Sequence, residues 1–369
     1  MRKIIFIWFI AAALVFSCAH AAESLSVDAK AAVLIDADSG RVLFAKNENE
    51  MLPEASCTKI MTALVALENS ALDENVTAGK NVHGVTGTSL YLSEGETLTM
   101  EQMLYGLMLR SGNDAAVAIA EHIAGSVSEF CEMMDKRAKE IGADAKFKNP
   151  HGLDADGHAA SALGLAKIMR EAMKNPTFRT ITATQKKIIP WVGNEYSRVL
   201  ENKNRLLTSY EGANGGKTGY TSKAGRCLVF SAKRGETELI GVVLNCPTWF
   251  DTAEKMLDYG FEHYASETFM HSGEVAGLAK VLGGTADYVS AVSAESISAA
   301  VAKSEIPKLD IRIFTQNAPV FCGQAVGRVH LVCGSEILDE SPLIAAENVA
   351  AKSFLSSLQR IIREWNLFR

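Results

Sequence analysis

Three short groups of residues could do nucleophilic chemistry if the fold brought them together. The first is Ser56-Cys57-Thr58-Lys59. A serine hydroxyl is a poor nucleophile at neutral pH and needs an adjacent base. If a helix begins at Ser56, Lys59 lies one turn on, on the same face, and its amine can reach the hydroxyl. That amine must be uncharged to act; burial, a helix N-terminus and a second nearby cation all lower a lysine pKa. The second group is Ser111-Gly112-Asn113, whose hydroxyl and amide could pass a proton and hold a substrate amide. The third is Lys217-Thr218-Gly219. A lysine and a hydroxyl aimed together suit a carboxylate, and glycine lets a strand approach closely. Each group alone has a plainer reading: a capped helix start with a solvated lysine, a turn, and a surface triplet.

The elements that must position them can be read from periodicity. Residues 31–46 alternate around Asp38-Ser39-Gly40, as a β-hairpin does. From Ser56 the apolar residues Ile60, Met61, Leu64, Val65 and Leu67 recur with helical period. Helices are expected over 100–109, 113–124, 128–141 and 161–174, the last with Pro176 just past its end. The period then changes: 215–220, 227–232 and 239–244 read as strands, and 251–259 as a helix stopped by Gly260. A strand pair, a helical block, three strands and a helix predict an α+β domain whose first and last parts share one antiparallel sheet. A boundary is expected near 266–273. Beyond it, short alternating runs at 309–314 and 326–332 predict a small β-rich domain without catalytic residues.

With the order of motifs and elements in hand, the combination carries more than its parts. Ser-x-x-Lys, then Ser-x-Asn, then Lys-Thr-Gly on a strand is the set of the penicillin-recognising serine enzymes. Segments 52–68, 88–124, 149–153 and 204–225 make the chain resemble the D-alanyl-D-alanine carboxypeptidases, the low-molecular-mass penicillin-binding proteins. The similarity runs almost continuously over 31–261. It implies a β-lactamase/D,D-peptidase-like antiparallel sheet flanked by helices, with a helical subdomain, a small C-terminal β-rich domain and a terminal amphipathic helix. It further implies that Ser56 is acylated and Lys59 is its base, with Ser111 and Asn113 completing the proton network. Lys217 and Thr218, with Gly219 and Tyr220 on the same strand, would bind substrate, and the backbone N–H groups of Ser56 and Tyr220 would form the oxyanion hole. The implied partners are the peptidoglycan pentapeptide and β-lactam inhibitors, and no cofactor or metal is required.

The resemblance has one gap. Many relatives carry an arginine shortly before the closing helix, where this chain has Trp249. Cys57, beside the nucleophile, reads as an inward-facing helical residue. His151 and His158 fall in a loop after the helical block and read as structural. A serine β-lactamase would need a further glutamate to activate water, and Glu171 followed by Asn175 sits too far along the chain for that. A catalytically idle wall scaffold would have no need of Lys59 or Lys217.

Composition sets the setting. The chain has 369 residues, 48% hydrophobic and 22% charged, enough for two domains. A net charge of −6 with both signs interspersed offers no basic field for nucleic acid. Arg2 and Lys3, the apolar run from Ile4 to Phe16, and Ala19-His20-Ala21 read as a signal peptide over 1–21, cleaved after Ala21. An uncleaved anchor and lipid attachment at Cys18 are the alternatives. The expected organisation is thus a leader at 1–21, a catalytic domain at 22–265, a β-rich domain at 266–345 and an amphipathic helix at 346–369. In that last segment Phe354, Leu355, Leu358, Ile361, Ile362, Trp365 and Phe368 line one face among Lys352, Arg360, Arg363 and Arg369. The pattern suits a helix lying on a membrane surface. Export to the outer face of the cytoplasmic membrane follows as the expected location. The cysteines match no zinc spacing, and Cys322 and Cys333 are expected to flank a hairpin turn at Gly327.

Overall fold

The computed structural model describes residues 25–353. The expected leader, and the expected amphipathic helix from residue 354 onward, lie outside that span.

Five strands form the central sheet: β1 (Ala31–Asp36), β2 (Val42–Lys46), β3 (Ala213–Thr221), β4 (Gly225–Arg234) and β5 (Thr237–Leu244). They are antiparallel throughout in the order β2-β1-β5-β4-β3, so the two ends of the catalytic region share one sheet, as the element order predicts. β5 is buried at every position, because both faces are covered. Val33, Ile35, Val229, Val242 and Leu244 face the helical block. Their neighbours Leu34, Leu228, Phe230, Leu239 and Val243 face the other way, onto the closing helix. Each such side chain contributes about 1.5–3 kcal/mol by leaving water.

The helices are α1 (Lys59–Asn69), α2 (Met100–Tyr105), α3 (Asn113–Ala124), α4 (Val127–Ile141), α5 (Ala162–Met173), α6 (Pro176–Ala183) and α7 (Trp249–His263). Their ends carry the expected chemistry. Ser126 and Ser161 accept from Glu129 N and Gly164 N, and Thr99 with Gln102 forms a capping box. Asn175 caps α6 and Pro176 opens it, so that proline begins a new helix besides ending the last.

Several boundaries differ from the sequence reading. The helix expected from Ser56 starts as a tight 3₁₀ turn, Ala55–Thr58, and becomes α-helical at Lys59. The helix expected over 100–109 widens into a π-turn at Gly106–Arg110, where a Cβ on Gly106 would come within 2.2 Å of Leu90. Gly260 does not stop α7. It lies inside the helix, where a Cβ would meet Leu239 at 2.5 Å and Leu34 at 2.9 Å, so it serves close helix–sheet packing.

The second lobe begins directly at β6 (Tyr264–Met270) and continues with β7 (Val275–Leu282), β8 (Tyr288–Ser293), β9 (Ile297–Ala302), β10 (Lys308–Ile313), β11 (Ala325–Cys333) and β12 (Glu336–Ala345). β6 pairs with β9, and the larger sheet runs β10-β11-β12-β8-β7 and then the short strand Gln316–Asn317. Gly327 lies within β11 against Arg312 O, not in a turn; the turn falls at Gly334, and Cys322 and Cys333 are free thiols. Val349 bridges Val320 and Ala351 bridges Gly284. Residues 346–351 therefore belong to this lobe rather than to a helix starting at 346. The lobe is tied to the sheet by Arg41, whose guanidinium meets Glu305 at 2.5 and 2.7 Å, and by Ala300 N donating to Asp36. No helix among the described residues is long and apolar enough to cross a membrane.

Candidate active site

The 3₁₀ turn that carries Ser56 is held on both sides. Ala55 has a positive φ of 50°, a strained conformation for a residue with a side chain. Gly152 abuts it: a Cβ there would stand 1.9 Å from Ala55 O. On the other side β3 passes so close that a Cβ on Gly219 would lie 2.8 Å from Glu54 O and 2.9 Å from Ser56 N. Beneath the turn, Thr58 Oγ1 sits 2.9 Å from both Glu54 Oε1 and His158 Nε2, and His158 Nε2 is 2.9 Å from Glu54 Oε1. Lys148 N donates to His158 Nδ1 at 2.9 Å, so the histidine clamps the 147–158 loop to the turn.

Lys59 is fully buried. Its Nζ lies 2.9 Å from Ser56 Oγ, 2.7 Å from Asn113 Oδ1 and 2.5 Å from His151 O. The orientation of Asn113 is set by its own amide, which donates from Nδ2 to Thr86 O at 2.6 Å and leaves Oδ1 toward the lysine. A carbonyl and an amide oxygen can only accept. An uncharged amine has two N–H bonds, which these two acceptors take up, and one lone pair, which is left facing Ser56 Oγ. Burial first, then the charges of Lys217 and Lys203, hold the Lys59 pKa well below the ordinary lysine range. Three acceptors around Nζ would equally satisfy an ammonium, so it is burial and the neighbouring cations that favour the uncharged form.

Ser111 follows the π-turn with a φ of 65°, is buried, and accepts from Thr88 Oγ1 through its backbone carbonyl at 2.7 Å. Asp114 fixes the facing segment by accepting from Leu90 N, Leu92 N and Ser89 Oγ. Lys217 is buried on β3, an edge strand, and donates to Thr218 O at 2.9 Å. Burial lowers its pKa to about 7, with Lys203 adding to the effect against a raising contribution from Cys57. Tyr220 is 65% exposed at the rim. Cys57 points inward and donates to Lys217 O at 3.4 Å; burial pushes its thiol pKa well up, which makes it inert.

The structure thus joins Ser56, Lys59 and Asn113 directly, with Ser111 two residues away, and lays the Lys217–Tyr220 stretch against the Ser56 turn. Glu171 is engaged elsewhere, by Arg137 at 2.6 Å and Lys174 at 2.8 Å. Three contributors escaped the sequence reading. The His151 carbonyl is a backbone atom with no residue-type signature. Glu54 and Lys203 stand beside motifs, but nothing in their spacing marks them. Burial holds the His151 ring pKa down, to about 3. No cluster of three metal-ligating side chains occurs among the described residues.

Comparison with known proteins agrees with this geometry. A sequence profile described as D-alanyl-D-alanine carboxypeptidase matches residues 18–248, and one described as the C-terminal domain of penicillin-binding protein 5 matches 264–351. The D-alanyl-D-alanine carboxypeptidase DacF of Bacillus subtilis is 36% identical over 94% of this chain and 92% of its own length. This chain belongs to the D-alanyl-D-alanine carboxypeptidase family. DacC of Escherichia coli is 30% identical over 94% of the chain and 90% of its own length. Penicillin-binding protein 5 from Haemophilus influenzae superposes with a TM-score of 0.76 at 27% identity, covering 88% of this chain and 98% of that one. The D-alanyl-D-alanine carboxypeptidase is a serine-type hydrolase of the penicillin-binding kind, and its family acts on peptidoglycan peptides and binds β-lactams. At the position where many relatives carry an arginine, Trp249 opens α7. Arg226, opposite Tyr220 on β4, sets its guanidinium 5.9 Å from the Trp249 ring and donates to Pro247 O.

Proposed function

We propose that this carboxypeptidase works through a Ser56 acyl-enzyme with Lys59 as general base. Ser56 Oγ attacks the carbonyl carbon of the penultimate D-alanine while its proton passes to the Lys59 lone pair. The tetrahedral oxyanion is met by the N–H groups of Ser56 and Tyr220, donors of a kind worth about 3–4 kcal/mol each. As the C–N bond breaks, a proton returns to the departing D-alanine nitrogen, with Ser111 and Asn113 as the relay. Water then attacks the ester and Lys59 takes its proton in turn. Lys217 and Thr218 hold the terminal carboxylate. A β-lactam acylates Ser56 because its strained amide imitates the scissile bond. The observation that carries the reading is the Lys59 Nζ, fully buried, 2.9 Å from Ser56 Oγ and held there by Asn113 Oδ1 and the His151 carbonyl. The test is D-alanine release from diacetyl-L-lysyl-D-alanyl-D-alanine: the wild type releases it and Ser56→Ala does not. A Ser56→Ala enzyme that keeps its activity overturns the assignment.

The setting belongs to the same proposal. The leader 1–21 directs export and is removed after Ala21, ahead of a catalytic domain that ends where β6 begins and a β-rich domain that extends to residue 351. The terminal segment carries the apolar face that lays the enzyme on the outer surface of the cytoplasmic membrane, where it trims the wall that sets cell shape. Mass measurement of the mature N-terminus checks the cleavage. Sedimentation with anionic vesicles, with and without residues 354–369, checks the anchor; equal sedimentation contradicts it.

A further inference from the structure

A cavity of about 220 Å³ lies outside the residues assigned above, lined by Ser89, Leu90, Tyr91, Arg110, Trp191 and Arg198 among others. It adjoins the catalytic wall by direct chain continuity. Residues 86–89 run alongside 111–114: Thr86 O and Thr88 O accept from Asn113, and Ser89 Oγ donates to Asp114 at 2.6 Å. The next residues of one segment, Leu90 and Tyr91, line the cavity, and the residue before Ser111 in the other is Arg110.

Its aromatic wall is rigidly built. Arg198 is buried and bonds Glu96 at 2.5 and 2.9 Å, Leu90 O at 2.8 Å, Pro190 O at 3.0 Å and Tyr91 O at 3.1 Å. Its guanidinium also lies 4.7 Å from the Trp191 ring centroid, and Trp191 meets Tyr196 edge-on at 5.4 Å. These bonds hold Tyr91 at a positive φ of 58° with its ring 65% exposed. Strain of this kind persists only where surrounding structure enforces it, and it concentrates at ligand sites.

The charge is equally uneven. Arg198 is fully used by its partners, whereas Arg110 is exposed and has no ion-pair partner among the described residues. Lys203, likewise without one, stands near enough to Arg110 and to Lys217 for the charges to be felt between them. An unpaired row of cations therefore runs from the lysine assigned to the terminal carboxylate out to this cavity. A lone carboxylate at Lys217 and Thr218 leaves Arg110 unanswered.

We infer that the cavity is a subsite for the side chain of the departing residue, and that it takes D-amino acids larger than alanine that carry a second carboxylate. Tyr91 and Trp191 cover the methylene groups and Arg110 meets the charge. The inference rests on the proposed Ser56 mechanism, which puts the leaving group on the Lys217 side of the scissile bond.

The test compares three peptides, diacetyl-L-lysyl-D-alanyl-D-alanine and the same peptide ending in D-glutamate or in D-glutamine, by release of the terminal amino acid. The wild type cleaves the D-glutamate peptide with a kcat/KM about tenfold above its uncharged isostere, as one charge-assisted contact provides. That ratio falls toward one in Arg110→Gln, is largely kept in Arg110→Lys, and shrinks as salt is raised. Release of D-alanine with equal cleavage of the D-glutamate and D-glutamine peptides overturns the subsite alone, as does a ratio unchanged in Arg110→Gln. No release from the D-alanine peptide overturns the underlying mechanism instead, and the subsite with it.

Discussion

Replacing Gly219 by alanine tests how closely β3 must approach the nucleophile. Gly219 does not need a left-handed conformation, so the substitution acts through volume alone. The new Cβ would lie 2.8 Å from Glu54 O, 2.9 Å from Ser56 N and 3.1 Å from Ala55 Cβ. Ordinary contacts of this type are about 3.5 Å, so roughly half an ångström must be found. Neither side yields freely: Gly219 is paired to Cys227 across the sheet, and the turn is closed by Cys57 N to Glu54 O at 3.2 Å. Overpacking of this order costs about 1–3 kcal/mol of stability. A 1 Å misplacement near reacting atoms costs about a hundredfold in rate, and half of that about tenfold. The expected outcome is a loss of about 10- to 100-fold in both D-alanine release and the rate of penicillin acylation, with a lowered Tm. Stopped-flow acylation with a fluorescent penicillin measures it. A Gly219→Ala enzyme within twofold of wild type would refute the claim that β3 and the Ser56 turn are set by this contact.

Other predictions follow from the same geometry. The free enzyme's kcat/KM rises with pH as Lys59 loses its proton and falls again as Lys217 deprotonates near pH 7; a profile still rising at pH 9 contradicts the role given to Lys217. Asn113→Asp puts a negative charge 2.7 Å from Lys59, which favours the ammonium and moves the acid limb upward by about one to three pH units; an unmoved limb counts against Lys59 as the base. Because the folded protein depresses the Lys217 pKa from 10.5 to about 7, the unfolded chain binds more protons between those values. Stability from this group therefore grows as pH rises across that interval, by up to about 1.4 kcal/mol per pH unit, and is lost as pH falls toward 7. Urea midpoints should therefore rise with pH across that interval in the wild type and lose that part of the slope in Lys217→Met. His158→Ala leaves Glu54 and Thr58 short of a buried partner and should cost about 1–3 kcal/mol, with a lower kcat as the His151 carbonyl loosens; an unchanged Tm and kcat would deny the clamp.

How far the site could be read from sequence depended on where its information lies. Ser56 with Lys59, Ser111 with Asn113, and Lys217 with Thr218 are local pairs whose spacing and order survive as text. The sheet was legible too, since alternation and breaks at glycine mark β1 to β5. What could not be read is long-range or side-chain-free. The bond from Thr58 to His158 spans 100 residues, and the third acceptor for Lys59 is a peptide carbonyl. Gly260 and Gly327 were misread for one shared reason. A glycine admitting close packing and a glycine turning the chain look alike in sequence, and only the neighbours Leu239 and Arg312 tell them apart. Gly106, which opens the π-turn, is a third such glycine, since a Cβ there would lie 2.2 Å from Leu90.

The central claim is that the Lys59 amine is uncharged in the resting enzyme, its lone pair directed at Ser56. Nitrogen NMR of lysine side-chain Nζ atoms, with Lys59→Arg to assign the resonance, observes that state directly. A neutral-amine shift for Lys59 at pH 7.5, turning to ammonium in Asn113→Asp, is the predicted result. An ammonium signal that persists in the wild type to pH 9 would contradict the mechanism at its root.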